Sequence, residues 1–370
     1  MVGNGWVFAA LGLMLAACGG PARKEAEITP AWTTLDGAPP LVIAHRGASG
    51  YLPEHTLEAY GLAIEQGADV IEPDLVFTKD GVLVARHDRY LSTTMDVADH
   101  PEFADRKKPN ADPNDAPRDD WWVEDFTLAE LKMLRAVQPF TGRSKDYDGL
   151  YEIPTFEDVL ALVSGRAKEA SRPVGVYPET KHPGYFQSIG MDFEGPLLAA
   201  LEGFDAGPVF IQSFEPEILK RLKGKADAKL VQLVYEETPG AGPNIPLTEI
   251  AGYADGVGPS KELVLAGKDE WTRLVADAHA LGLVVHPWTF RVDQPNKNVE
   301  PAVVFNFSLS DDGSNESVNV LSDDTANDEG AARATAELYA FYGHGIDGVF
   351  TDFPDIAVKV RDDYVAVGLQ

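Results

Sequence analysis

Residues 70–88 read VIEPDLVFTKDGVLVARHD. Val70, Ile71, Leu75, Val76 and Phe77 make an apolar run of the length of a buried strand, with Glu72 and Asp74 two positions apart inside it. Side chains alternate across a strand, so both carboxylates project from one face. Together they can chelate one hard cation. Asp80-Gly81 follows, a pair favoured in two-residue hairpin turns because both positions take positive φ. Val82 to His87 is then the returning strand. A two-residue turn pairs Lys79 with Val82 and, counted back, sets Asp74 opposite His87, with Cβ atoms roughly 4.5–5.5 Å apart.

Upstream, residues 41–56 read LVIAHRGASGYLPEHT. Leu41 to Ala44 is a second short apolar strand that ends in His45 and Arg46. Gly47-Ala48-Ser49-Gly50 must then turn sharply or approach another group closely. Pro53-Glu54-His55-Thr56 opens a helix with Thr56 as cap. Downstream, apolar strands alternate with helical patterns, as a parallel sheet requires. Strands are expected at 41–45, 69–76, 173–179, 209–214, 229–235, 254–258, 283–289 and 347–351. Eight of them suggest a closed α/β (β/α)8 TIM barrel, whose active site lies at the C-terminal strand ends. His45, Arg46, Glu72, Asp74, Glu179 and Lys181 all fall at such ends, and Glu179 is the natural third carboxylate for Glu72 and Asp74. Two stretches depart from the repeat: residues 91–152 after strand 2, with Trp121-Trp122 and a Leu128-Leu131-Leu134 stripe, and acidic residues 293–327 after strand 7. The first either shapes the substrate entrance or merely decorates the barrel. The second reads as a solvated loop, since Asp311, Asp312 and Glu316 do not match EF-hand spacing.

The ordered set HRG at 45–47, PEHT at 53–56, E-x-D at 72–74 and His87-Asp88 beyond a DG hairpin resembles the glycerophosphodiester phosphodiesterases, and more narrowly their periplasmic, calcium-using branch. The resemblance continues through Pro178-Glu179-Thr180-Lys181, Ile211-Gln212-Ser213-Phe214, His286-Pro287-Trp288-Thr289-Phe290-Arg291 and Asp347 to Pro354, covering about residues 40–358. His55 stands where many members carry asparagine. The resemblance implies His45 and His87 as the general acid–base pair, and a glycerophosphodiester substrate cleaved to sn-glycerol 3-phosphate and an alcohol such as choline, ethanolamine or glycerol.

The residue chemistry fits that expectation. Glu72, Asp74 and Glu179 offer hard oxygen ligands without cysteine, which favours one divalent cation, calcium before magnesium. Arg46 can grip phosphate with its fork of donors, Lys181 is a second positive contact, and Trp288 can pack against glycerol carbons. Glu54 and Gln212 are expected behind these groups, as are His286 and Asp352. Rival readings are a related phospholipase D-type phosphodiesterase acting on intact lipid, and a lipid-anchored surface binding protein on a retained barrel scaffold. The absence of an obvious membrane-inserting apolar loop speaks against the first.

The chain has 370 residues, 59 acidic against 31 basic, for a formal charge of −28. Such a field repels nucleic acid and anionic lipid, so no nucleic-acid partner is expected and phosphate must be attracted locally. One cysteine, Cys18, follows Leu15-Ala16-Ala17 after a short apolar run. Residues 1–17 read as an export signal, Cys18 as a lipidated first residue, 18–40 as a tether, and 41–370 as one barrel domain. Gly19 after Cys18 points to an exported lipoprotein of the outer membrane or periplasm of a Gram-negative bacterium. Oligomeric state is not legible.

Overall fold

The computed structural model describes residues 32–299 and 329–366. Strands Leu41–His45, Val70–Glu72 and Gly175–Val176 run parallel with Gly348–Thr351 in one sheet. A second sheet carries Asp74–Phe77, Glu179–Thr180, Phe210–Ser213, Lys229–Val234, Gly256–Pro259 and Val284–Val285. The sheets are two parts of one ring. Pro73 splits the expected strand 69–76 and Pro178 splits 173–179, because a proline nitrogen has no proton to give the ladder. Hydrogen bonding resumes at once beyond them: Glu179 N–H donates to Pro73 O at 2.9 Å and Gln212 N–H to Pro178 O at 3.0 Å. The ring closes where Asp347 N–H meets Val285 O (2.9 Å) and Phe350 N–H meets Pro287 O (3.1 Å). All eight expected strands are present, and the (β/α)8 barrel is closed.

The interior is packed with Ile43, Val70, Tyr177, Phe210, Val231 and Phe350. Tyr177 stacks on Phe210 with ring centroids 4.7 Å apart and donates or accepts a hydrogen bond at His286 Nδ1, 3.1 Å away. This plug makes a floor, so the charged side chains above it line a basin and not a pore. Outside, helix Leu57–Glu65 is capped by Thr56, whose hydroxyl accepts from Ala59 N–H. Helix Phe156–Ala170 begins with a Thr155/Asp158 capping box and buries Phe156, Val159, Leu160 and Val163. Losing a cap of this kind costs about 1 kcal/mol.

The hairpin departs from expectation by one residue. Leu75 pairs with Ala85, Val76 with Val84 and Phe77 with Leu83, which places Arg86, not His87, opposite Asp74. The loop has three residues: Gly81 alone takes positive φ (80°), Thr78 N–H donates to Val82 O, and the Thr78 hydroxyl accepts from Val82 N–H. A one-residue change of loop length slides the whole returning strand.

Residues 91–152 are built into the main core. Phe103, Trp121, Val123, Phe126, Leu131 and Leu134 are buried with the barrel helices. Both indole N–H groups are satisfied inside the segment, Trp121 by Phe103 O and Trp122 by Lys108 O. The leucine stripe forms one short turn, Leu128–Leu131. The acidic loop with Asp311, Asp312 and Glu316 lies largely outside the described residues, as do the export signal and Cys18; helix Glu329–Gly343 follows it. No helix among the described residues is long and apolar enough to cross a membrane.

Candidate active site

Glu72, Asp74 and Glu179 converge where Pro73 and Pro178 break their strands, Glu72 just before Pro73, Asp74 and Glu179 just after a proline, with Asp74 in register with Glu179. One carboxylate oxygen from each lies within 4.8 Å of the others, and all three residues are buried. Asp74 Oδ1 is buried without a hydrogen-bond partner. Burial and repulsion from Asp74 and Glu179 push Glu72 well above the usual carboxylate range. Burial likewise pushes Glu179 up to about 8 although Lys181 opposes it. Asp74 is held well below the usual range despite burial, by Lys181, His87, His55 and Arg46. Three crowded oxygen donors with an orphaned atom and unfavourable ionisation fit a hard divalent cation. The expected metal ligands are brought together.

Cations and donors ring the carboxylates. Arg46 sits at φ 60°, and this left-handed step lets its N–H reach Glu72 Oε2 (2.9 Å) while the guanidinium contacts Glu54 (3.1 Å) and Asp74 (3.4 Å). Gly47 follows at φ 86° with the Ala59 backbone 2.7 Å from where a Cβ would lie, so only glycine fits that turn. Burial opposes the Arg46 charge, but Glu54, Asp74 and Glu72 outweigh it and raise its pKa. Lys181 Nζ lies 2.8 Å from Glu179 and 3.9 Å from Asp74. Gln212 Nε2 donates to Glu72 Oε1 at 3.2 Å. Glu54 and Gln212 therefore stand behind the site as expected.

His45 and His87 face the same cavity of about 510 Å³, together with Arg46, Lys181 and Trp288. His45 Nδ1 lies 2.7 Å from Asp352 Oδ1, and His87 Nδ1 lies 2.7 Å from Asp88 Oδ1. A carboxylate only accepts, so each Nδ1 carries the proton and each Nε2 is left for chemistry. Burial and then Arg46 bring His45 down to about 4, against the pull of Asp352. His87 is lowered by burial, Arg46 and Lys181, against Asp74 and Asp88. Trp288 is fixed by its indole N–H on Gly258 O (2.8 Å) and meets Phe214 edge-on. Both rings line the same cavity, with Lys181 Nζ 5.7 Å from the centre of the Phe214 ring.

Sequence reasoning undervalued three residues. His55 Nε2 lies 2.9 Å from Asp74 Oδ2 and its Nδ1 lies 2.7 Å from the Tyr60 hydroxyl. Asp352 touches a histidine of the site directly, and Arg143, from residues 91–152, reaches Asp352 at 2.6 Å. The PEHT motif was the one available signal for His55; nothing near Arg143 in sequence marks it. His286 lies in the floor with Tyr177, away from the chemistry.

Residues 45–356 match the model of the Glycerophosphoryl diester phosphodiesterase family. A glycerophosphodiester phosphodiesterase of Arabidopsis thaliana is 37% identical over 287 residues, covering 70% of this chain and 76% of the plant protein. One from Haemophilus influenzae is 32% identical over 400 residues, covering 94% of this chain and 97% of the relative. Among solved structures, an Oleispira antarctica phosphodiesterase in complex with the product sn-glycerol-3-phosphate superposes with a TM-score of 0.56 at 19% identity, covering 89% of this chain and 99% of that one.

Proposed function

This chain belongs to the glycerophosphoryl diester phosphodiesterase family and is a phosphoric diester hydrolase of that activity; from that premise we propose a metal-assisted reaction in which His45 and His87 move protons in opposite directions. The observation that carries the proposal is the meeting of three buried carboxylates and two imidazoles around one cavity. A divalent cation held by Glu72, Asp74 and Glu179 supplies charge neutralisation on the phosphate when bound. Calcium suits the site better than magnesium, because the ligands are carboxylates on separate strands that can surround a larger ion.

Arg46 and Lys181 hold the phosphate against the acidic floor. One histidine accepts the proton of the attacking oxygen, water or the neighbouring glycerol hydroxyl, as the new P–O bond forms. The other donates a proton to the leaving alkoxide as the ester P–O bond breaks, which yields sn-glycerol 3-phosphate directly or after hydrolysis of a cyclic phosphate. Phe214 and Trp288 shield the carbon skeleton. Glycerophosphocholine, glycerophosphoethanolamine and glycerophosphoglycerol are the substrates of this reading, supported by the product named for the Oleispira protein. Membership of the periplasmic, calcium-using branch, and a membrane attachment through lipidated Cys18, are the further parts of the proposal; they rest on the sequence motifs.

Turnover of that panel with and without chelator tests the reading. Release of sn-glycerol 3-phosphate, lost on chelation and restored best by Ca²⁺, is expected. Full activity after exhaustive chelation would remove the cation from the mechanism.

A further inference from the structure

Arg143 lies outside the HRG, PEHT and E-x-D motifs, nearly a hundred residues from His45, yet its side chain is only 2% exposed and all of its nitrogens are engaged. Nη2 donates to Asp352 Oδ2 at 2.6 Å, Nε and Nη2 meet the Asp293 carboxylate at 2.8 and 3.2 Å, and Nη1 donates to Ser49 O at 3.0 Å. Arg291 Nε binds the same Asp352 oxygen at 2.8 Å. The other oxygen, Oδ1, is the one that holds His45.

These contacts constrain the catalytic ring twice. Two guanidinium groups on Oδ2 stop the Asp352 carboxylate from pivoting, so Oδ1 stays aimed at His45 Nδ1. Ser49, whose carbonyl Arg143 grips, donates its hydroxyl to His45 O at 2.9 Å and thereby ties the loop to the strand end. Resting on the acid–base reading above, we infer that Arg143 is a positioning residue: the segment 91–152 reaches the adjoining ends of the first and last barrel strands to set the orientation of His45 through Asp352. A carboxylate that orients an imidazole works by fixing tautomer and direction, and Arg143 fixes the carboxylate.

A double-mutant cycle on the full chain separates this role from simple scaffolding. Arg143→Ala is expected to lower kcat on glycerophosphocholine by roughly 10–100-fold, the scale of lost outer contacts, with KM little changed. In a His45→Ala background the same substitution should cost about twofold or less, since there is no ring left to orient. Equal losses in both backgrounds, or a rise in KM alone, overturn the inference. If Arg143→Ala lacks a cooperative melt, Arg143→Lys goes through the same cycle, because a point charge cannot span the three acceptors. Asp293→Asn, which cuts only the outer contact, should leave kcat unchanged; a loss equal to that of Arg143→Ala also overturns the inference. Parental turnover by His45→Ala alone is a different failure, that of the acid–base reading itself.

Discussion

His55 Nε2 lies 2.9 Å from Asp74 Oδ2, and the same imidazole binds the Tyr60 hydroxyl through Nδ1 at 2.7 Å. A helix-start residue thus fixes the orientation of a carboxylate of the proposed metal site from behind, with φ 56° at His55. His55→Ala should weaken Ca²⁺ affinity by about 10–100-fold, while Tyr60→Phe, which leaves the imidazole in place, should cost less. Calcium titration by calorimetry reads both; equal affinity in His55→Ala and the parent would show that Asp74 needs no such support.

Above roughly pH 7, where the lowered histidines His45, His87, His182, His286 and His344 are neutral in the folded and the unfolded chain alike, the metal-free protein should lose thermal stability as pH rises to about 9. Glu72 is raised and Glu179 stands at about 8, so the stability these groups contribute is present below their unfolded pKa, roughly 4.3, and fades as pH climbs through the folded values. Asp74 is depressed, so its contribution is lost only on acidification below the ordinary Asp range, outside this window. Added Ca²⁺ should flatten the profile by binding the ionised form. A melting temperature in chelator that stays level or increases across the interval contradicts the assignment.

His45→Ala and His87→Ala should each lower kcat by about 10²–10⁴ with substrate binding changed much less. A nitrophenyl ester of glycerol phosphate, whose leaving group needs no proton, should rescue the variant that lacks the acid and not the one that lacks the base. If neither variant responds to leaving-group pKa, the two histidines do not share the proton transfers as proposed.

Cys18→Ala should release a soluble enzyme with parental turnover: the expected tether 18–40 already docks on the barrel by Trp32, which stacks on Tyr364 at 4.6 Å, and the first barrel strand starts at Leu41. Phase partition in detergent reads the outcome. Identical partition of variant and parent would count against lipidation.

The barrel and the pairing of Glu72 with Asp74 were legible because both depend on local pattern. Glu72 and Asp74 share one apolar run, and the strand period alone puts them together. Hairpin register was not, since Asp-Gly serves two- and three-residue loops alike and only the backbone at Gly81 separates them. Asp352 was visible as a strand-end residue, but its pairing with His45 spans 307 positions, and no periodicity encodes that. Arg143 sits where the chain has neither strand nor helix rhythm. Its importance comes from where a long connection happens to return, which folding determines and composition does not.

Pro73 and Pro178 have a consequence beyond interrupting the ladder. Each locks φ near −65°, one between the two acidic residues of the E-x-D motif and the other immediately before Glu179. The backbone beside each of these carboxylates is therefore stiffened by a ring. Magnesium asks for oxygen distances of about 2.0–2.1 Å and calcium for about 2.3–2.6 Å. In the proposed site, accommodating either ion calls on the side chains of Glu72 and Asp74, which are tied to Gln212, Arg46 and His55. The two prolines thus stiffen the backbone from which the proposed cation ligands project.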